Sequence, residues 1–466
     1  MSGHITADIC VIGAGSAGLS FAAGAAQLGR KVVLVEKGKM GGDCLNFGCV
    51  PSKALIAAAN AAHSARTAAK FGVTAQEPHV DFAAVHAHVQ SVIAAIAPHD
   101  SQQRFESLGV TVIRQRGEFI GPRVVKAGGQ EIHAKHFVIA TGSSPFIPPI
   151  NGLAETPYLT NETIFDNKTL PDHLIVIGGG PIGAELAQAH RRLGARVTII
   201  EAETLLGRED EQAVDLLRAA FAAEGVEVFE RTKVMETRGG DNGVIAVLED
   251  GRQFAGSHLL VAVGRRANIS GLGLDKAGVE FENGKIRLDA SLRTTNRRIY
   301  AAGDAAGGAQ FTHVAGDHAS TLIRNILFKM PAARRDSLAP RVTYTDPEIA
   351  SVGVTEEQGG VTSVQWDFEN NDRAQTEKST HGFLKAYVDR KGTIAGATLV
   401  GKGAGDEIGL WSFAIANGLK IKSMTNYIAP YPTRGEISKR AGGAYFTPKL
   451  FSGKTRSLVK LLSMLD

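Results

Sequence analysis

The chain has 466 residues, of which 44% are hydrophobic and 21% charged, the balance of an ordinary soluble globular protein with room for about three domains. A formal net charge of +4 is too small for this length to argue for nucleic-acid binding. Three cysteines exclude a disulfide-stapled secreted scaffold and point to a reducing, cytoplasmic setting.

Between Asp8 and Arg30 no residue is charged, a stretch about as long as a membrane span. Its glycines are patterned, it opens as a strand, and it lacks the basic flank and cleavage site of a signal peptide, so a membrane role is not expected. Ile9–Ile12 reads as a strand, 16–28 as a small-residue helix, and Lys31–Val35 as a second strand ending at Glu36. Gly13, Gly15 and Gly18 between the first two form a G-x-G-x-x-G array in strand–turn–helix context, the dinucleotide-binding fingerprint. Gly13 makes the turn, Gly15 admits a pyrophosphate, and Gly18 lets the helix approach the strand. Glu36, 23 residues after Gly13, is placed to accept hydrogen bonds from a ribose. Cys10 reads as a small buried strand residue.

Gly41–Lys53 reads GGDCLNFGCVPSK, with Cys44 and Cys49 five residues apart. An alanine-rich helical run, Lys53–Ala62, follows, and a helix N-terminus favours the thiolate, the reactive form of cysteine. Redox use is one reading; two packed core cysteines or half of a metal site are the others. Zinc pairs stand two to four residues apart and need further ligands, which do not cluster here. Residues 80–107 read as helical, and no role is given to His86, His88 and His99. Phe137–Gly142 is a strand running into Thr141-Gly142, and the proline-rich Ser144–Pro149 reads as a crossover between domains.

The first pattern then recurs. His173–Ile177 is a strand, Gly178, Gly180 and Gly183 form the array, a helix runs to about Leu193, and the strand Arg196–Ile200 ends at Glu201. Gly178 to Glu201 is again 23 residues. Two such units hold two dinucleotides, and the natural pair is a flavin and a nicotinamide. Glu201 favours a free 2′-hydroxyl and hence NAD(H) over NADP(H), with Arg208 a counterweight nearby. Ala262-Val-Gly264-Arg265 mirrors Ala140-Thr-Gly142 and reads as the crossover back. Ile299–Asp304 is a strand ending in Gly-Asp; Asp304 is either a binder of ribityl or ribose hydroxyls or a plain turn aspartate.

Taken in order, GAGSAG, GGDCLNFGCVPSK, ATG, GGGPIGAE, AVGR, YAAGD and TDPEIASVG resemble the pyridine nucleotide–disulfide oxidoreductase family over essentially the whole chain. The resemblance implies an α/β fold: two Rossmann-like domains, FAD-binding (1–150 and 275–340) and NAD(P)-binding (151–274), and an α+β interface domain (341–466) that forms a homodimer. It implies that Gly13, Gly15, Gly18, Glu36, Thr141, Gly142 and Asp304 hold FAD, and that Gly178, Gly180, Gly183, Glu201 and Gly264 hold the nicotinamide dinucleotide. Lys53 would lie beside the flavin, paired with Glu185. Cys49 would be the flavin-proximal sulfur of a redox-active disulfide and Cys44 the outer sulfur facing substrate.

The dihydrolipoamide dehydrogenase and glutathione reductase branches place a His-Pro near the C-terminus, with a glutamate after it, as acid–base for the outer sulfur. Here Tyr431-Pro432 stands at that position and Glu436 follows. An ordinary tyrosine, with a pKa of about 10, is a poor base at neutral pH. Mercuric reductases are similar in having a tyrosine there, but they carry a C-terminal cysteine pair, and Leu450–Asp466 holds none. The expectation is an oxidoreductase of the dihydrolipoamide dehydrogenase type acting on a small dithiol or disulfide. A reductase of metal–thiol complexes and a slowly turning over redox sensor are the alternatives. No resident metal and no nucleic-acid or membrane partner is expected. The last residues, Lys454–Leu465, read as a short basic amphipathic helix, too short for firm membrane anchoring and suited to dimer packing.

Overall fold

The computed structural model describes residues 3–240 and 243–465. It separates into two compact units, Met1–Thr204 with Val226–Asp336, and Leu205–Gly225 with Ser337–Asp466.

The first unit is built on a mixed seven-stranded sheet and a parallel four-stranded one, with smaller antiparallel sheets beside them. In the larger, Gly3–Ile12 lies between Val32–Val35 and Gln130–Ile139, parallel to both, and Thr111–Ile113 extends the Val32 side. Gln130–Ile139 pairs antiparallel with Val124–Ala127 along its first half and parallel with Ile299–Ala301 along its second. The chain therefore leaves this sheet after Ile139 and returns to it at Ile299. The buried halves, Ile9–Ile12, Val32–Val35 and Phe137–Ile139, are continuous apolar runs, as strands covered on both faces require. In the smaller sheet His173–Ile177 lies between Arg196–Ile200 and His258–Val261, again parallel, with Val226–Phe229 beyond. The crossovers pair with each other: Ser143–Pro145 runs antiparallel to Arg265–Ala267.

The helical reading of 80–107 is corrected. Asp81 caps a helix Phe82–Ile96, a 3-10 turn with Pro98 interrupts, and Ser101 caps a second helix, Gln102–Ser107. Pro98 has no N–H to continue the ladder.

The second unit is built on an antiparallel five-stranded sheet, ordered Arg341–Thr343, Glu348–Gly353, Ile394–Gly401, Phe383–Val388, Thr362–Asp367. Its core includes Trp411, from the helix Ala404–Ala416, whose Nε1–H donates to Ser438 Oγ at 3.0 Å. The helix Glu211–Glu224 belongs to this unit. Glu209 accepts from Arg341 and Ser351, and Asp210 from Lys385 and Tyr387. The basic tail helix spans Gly453–Leu462.

Candidate active site

Both glycine arrays adopt the same geometry. Gly13 and Gly178 have φ of 111° and 109°, and a Cβ on either would meet the carbonyl oxygen of Ala140 or Ala262 at 2.2 or 2.5 Å. A Cβ on Gly18 or Gly183 would lie 1.9 or 2.0 Å from the oxygen of Gly13 or Gly178. These four positions are closed by the fold itself. The middle glycines are not: a Cβ on Gly15 finds only Gly42 Cα at 3.9 Å, and one on Gly180 finds nothing within 4 Å. Each middle glycine is also the N-cap of its helix, Ser16–Gln27 or Pro181–Leu193. Open space in front of free helix N–H groups fits a pyrophosphate in both loops.

The acids close the pattern. Glu36 Oε2 accepts from Ala14 N–H and Glu201 Oε2 from Gly179 N–H, each at 2.6 Å. Their other oxygens accept from Gly38 and Glu203 N–H, at 2.6 and 2.8 Å. Thr141 donates to Asn268 O at 2.7 Å, while Gly142 and Gly264 both turn at positive φ into open space.

Cys44 lies in a five-residue helix, Gly42–Asn46, and Cys49 is the first residue of the long helix Cys49–Arg66. They are two unjoined thiols. Cys44 donates to Cys49, and that bond, with help from Thr312 and Lys53, pulls the Cys49 thiol down to about 6. The same bond and burial push Cys44 up. The helix N-terminus acts in the same sense, so Cys49 is the thiolate of the pair. Thr312 Oγ1, at the start of the helix Thr312–Leu322, lies 3.4 Å from Cys49 Sγ.

One turn along, Lys53 Nζ donates to Glu185 Oε2 at 2.8 Å. Glu185 is 6% exposed, and a carboxylate so buried requires such a partner. Asp304 follows the strand Ile299–Ala301; burial raises its carboxyl, against a hydrogen bond from Ser143 Oγ at 2.5 Å. Sequence reasoning did not single out Thr312, nor three further neighbours of the cysteines: Asp43, Arg265 as its partner, and Asn161. Arg265 Nη2 lies 3.0 Å from Asp43 Oδ1. Asn161 donates to the same oxygen and to Phe47 O, both at 3.2 Å. Asp43, written inside the cysteine box as a charge beside a thiol, was the one available signal.

In the second unit, Tyr431 is exposed and its hydroxyl donates to Asp372 Oδ2 at 2.8 Å. That bond raises the phenol above its ordinary value. Glu436, at the first position of the helix Glu436–Leu450, is held by Arg440 at 2.6 Å. The structure therefore ties Tyr431 and Glu436 to different partners.

Residues 7–319 match the profile of the pyridine nucleotide-disulphide oxidoreductases, and residues 339–441 match that family's dimerisation domain. The chain belongs to this family. It is an oxidoreductase of a class that is FAD-dependent and uses NAD(P)H. It is 36% identical to a mercuric reductase of Streptomyces lividans, over 96% of this chain and 97% of the relative. A mercuric reductase of Shigella flexneri is 34% identical over 94% of this chain and 80% of its own. Among solved structures, LpdA from Mycobacterium tuberculosis aligns with a TM-score of 0.87 and 30% identity, covering 94% of this chain and 99% of that one. The HOCl-induced flavoprotein disulfide reductase RclA from Escherichia coli, in a Cu(II) complex, aligns with a TM-score of 0.84 and 28% identity, covering 93% and 98%. Among the described residues, no helix is long and apolar enough to cross a membrane.

Proposed function

We propose that the chain is an NAD(P)H-dependent reductase whose Cys44–Cys49 dithiol takes a thiol-bound soft metal ion, Hg(II), as electron acceptor. The observation that carries this reading is the state of Tyr431. Oxidation of a dithiol such as dihydrolipoamide needs a base for the incoming thiol, and the position that the resemblance gives to that base holds a phenol bonded to Asp372 and raised above its ordinary value. A metal–thiolate acceptor arrives without a thiol proton to remove. The mercuric reductase relatives support the same choice.

In this reading Gly13, Gly15, Gly18, Glu36, Thr141, Gly142 and Asp304 hold FAD, and Gly178, Gly180, Gly183, Glu201 and Gly264 hold the nicotinamide coenzyme. The domains run 1–150 with 275–340, 151–274, and 341–466. Bound FAD would supply two-electron transfer between the nicotinamide and the sulfur site. Cys44, the outer sulfur, displaces one thiolate from Hg(SR)2, its thiol proton leaving on that thiolate as RSH, and Cys49, already a thiolate, displaces the other. Two electrons reduce Hg(II) to Hg(0) and restore the dithiol. The balance is NAD(P)H + H+ + Hg(SR)2 → NAD(P)+ + Hg(0) + 2 RSH. Lys53, paired with Glu185, places a cation beside Cys49 and steadies its thiolate. Glu201 favours NADH, the dimerisation domain makes the protein a homodimer, and the reducing cytoplasm keeps the dithiol ready.

The test is steady-state turnover of the FAD-loaded protein with NADH and Hg(II) in excess thiol, beside NAD+ reduction by dihydrolipoamide. Mercury-dependent turnover of about 10 per second, with dihydrolipoamide slower by about 100-fold or more, is expected. The reverse ranking would return the chain to dithiol oxidation.

A further inference from the structure

The sequence places a carboxylate, Asp43, directly before Cys44, and a negative charge there works against a thiolate at both cysteines. The fold answers it. Arg265 is 11% exposed, and three of its contacts fix its orientation. Nε donates to Ser143 Oγ at 2.8 Å and Nη2 to Ser143 O at 2.9 Å, while Nη2 reaches Asp43 Oδ1 at 3.0 Å. Ser143 in turn donates to Asp304, whose Oδ2 lies 3.9 Å from Arg265 Nε. Asn161, 5% exposed, holds Asp43 and Phe47 together, and so closes the segment between the two cysteines. The carboxylate also packs on Gly48, where a Cβ would meet Asp43 Oδ2 at 2.7 Å.

We propose that Asp43 and Arg265 are a charge-matched positioning pair for the dithiol, in which Arg265 neutralises Asp43 and ties the cysteine segment to the Ser143–Asp304 turn. The inference rests on Cys44 and Cys49 being a redox dithiol and is independent of the acceptor. Reduction creates a thiolate and oxidation removes it, so a bare Asp43 charge disfavours the reduced form. Arg265→Gln therefore shifts the couple toward the disulfide, Asp43→Asn shifts it toward the dithiol, and the double variant returns near the parent. Purely structural damage has no reason to change sign between the two or to cancel when they are combined.

The experiment equilibrates the FAD-loaded protein with glutathione buffers, in which disulfide + 2 GSH ⇌ dithiol + GSSG, then quenches and counts alkylated cysteines. Each single variant is expected to move the equilibrium constant by about tenfold, about 30 mV for a two-electron couple, in opposite directions. Shifts of the same sign, no shift, or a double variant displaced further than either single would overturn the pair. Should Arg265→Gln fail to retain FAD, Asp43→Asn alone decides: an unchanged constant overturns it, and Arg265→Lys should restore most of the parent value. A parent protein that forms no disulfide at any glutathione ratio would refute the dithiol itself, a result distinct from these.

Discussion

The two strand–turn–helix units built on Gly13 and Gly178 are near-copies in backbone and differ in what their helices carry. The helix Ser16–Gln27 has no charged side chain and buries only small and apolar residues. The helix Pro181–Leu193 buries Glu185, His190 and Arg192. Buried charge requires partners, and two of these find theirs on the cysteine helix: Glu185 with Lys53 at 2.8 Å, and Arg192 with Asn60 Oδ1 at 2.5 Å. His190 donates to Leu186 O, and burial draws it down to about 4, so it stays neutral. The first helix packs instead against the helix Thr312–Leu322, whose first residue touches Cys49. Both nucleotide units thus reach the sulfur site, one by apolar packing and the other by ion pairing. A phosphate cradle needs only its glycines, whereas coupling to redox chemistry is written on the outer face of the helix that follows.

Cutting the sulfur away from both loops should give the largest effect. Cys49→Ser is expected to lower acceptor turnover by about 1000-fold or more, while the flavin remains bound and still bleaches with NADH. Retained turnover would mean that electrons leave by another route. The glycines sharpen the comparison next. Gly18→Ala and Gly183→Ala each force a methyl onto a carbonyl oxygen, a clash expected to cost about 1–3 kcal/mol. Gly18→Ala should shed FAD on gel filtration. Gly183→Ala should keep FAD and raise the KM for NADH about tenfold, a magnitude matching the lower part of that range. The same loss of FAD from both would show that the units are not separable.

A smaller effect follows from Cys49. Its thiol is lowered to about 6, so the reactive thiolate is lost as the pH falls through that value. Alkylation of the reduced protein should rise about tenfold from pH 5 to pH 7 and then level. A midpoint above 8 would mean that the Cys44 hydrogen bond, with Thr312, Lys53 and the helix terminus, does not hold the thiolate.

Much of this was legible in the sequence because it is local. The glycine arrays, the 23-residue spacing to Glu36 and Glu201, and the cysteine box are short-range patterns; the arrays and acids lie on the strands and turns expected of them, while the box lies in two helices, the second starting at Cys49 and not at Lys53. The pairing of Lys53 with Glu185 came from resemblance alone, since no local rule joins residues 132 apart. Arg265 beside Asp43 was not legible: it depends on the pairing of Ser143–Pro145 with Arg265–Ala267, a register that only the folded crossovers create. The bonds that Glu209 accepts from Arg341 and Ser351, and Asp210 from Lys385 and Tyr387, were hidden for the same reason, because the helix they precede has an ordinary amphipathic pattern. Pro98 stands inside the 80–107 run, and its missing N–H is the local reason that the run is two helices and not one.

The smallest expected effect isolates the two acids. Glu36 and Glu201 each accept two backbone N–H bonds with matching geometry, so hydrogen bonding cannot distinguish their roles. Charge can. A 2′-phosphate would stand against the Glu201 carboxylate, and repulsion between like charges disfavours NADPH. Glu201→Gln keeps an acceptor for one of the two N–H groups and removes the charge, so the ratio of NADH to NADPH efficiency should fall about tenfold. Glu36→Gln should loosen FAD and leave that ratio unchanged. If both substitutions moved coenzyme preference, or neither did, the assignment of the second unit to the nicotinamide coenzyme would lose its basis in charge.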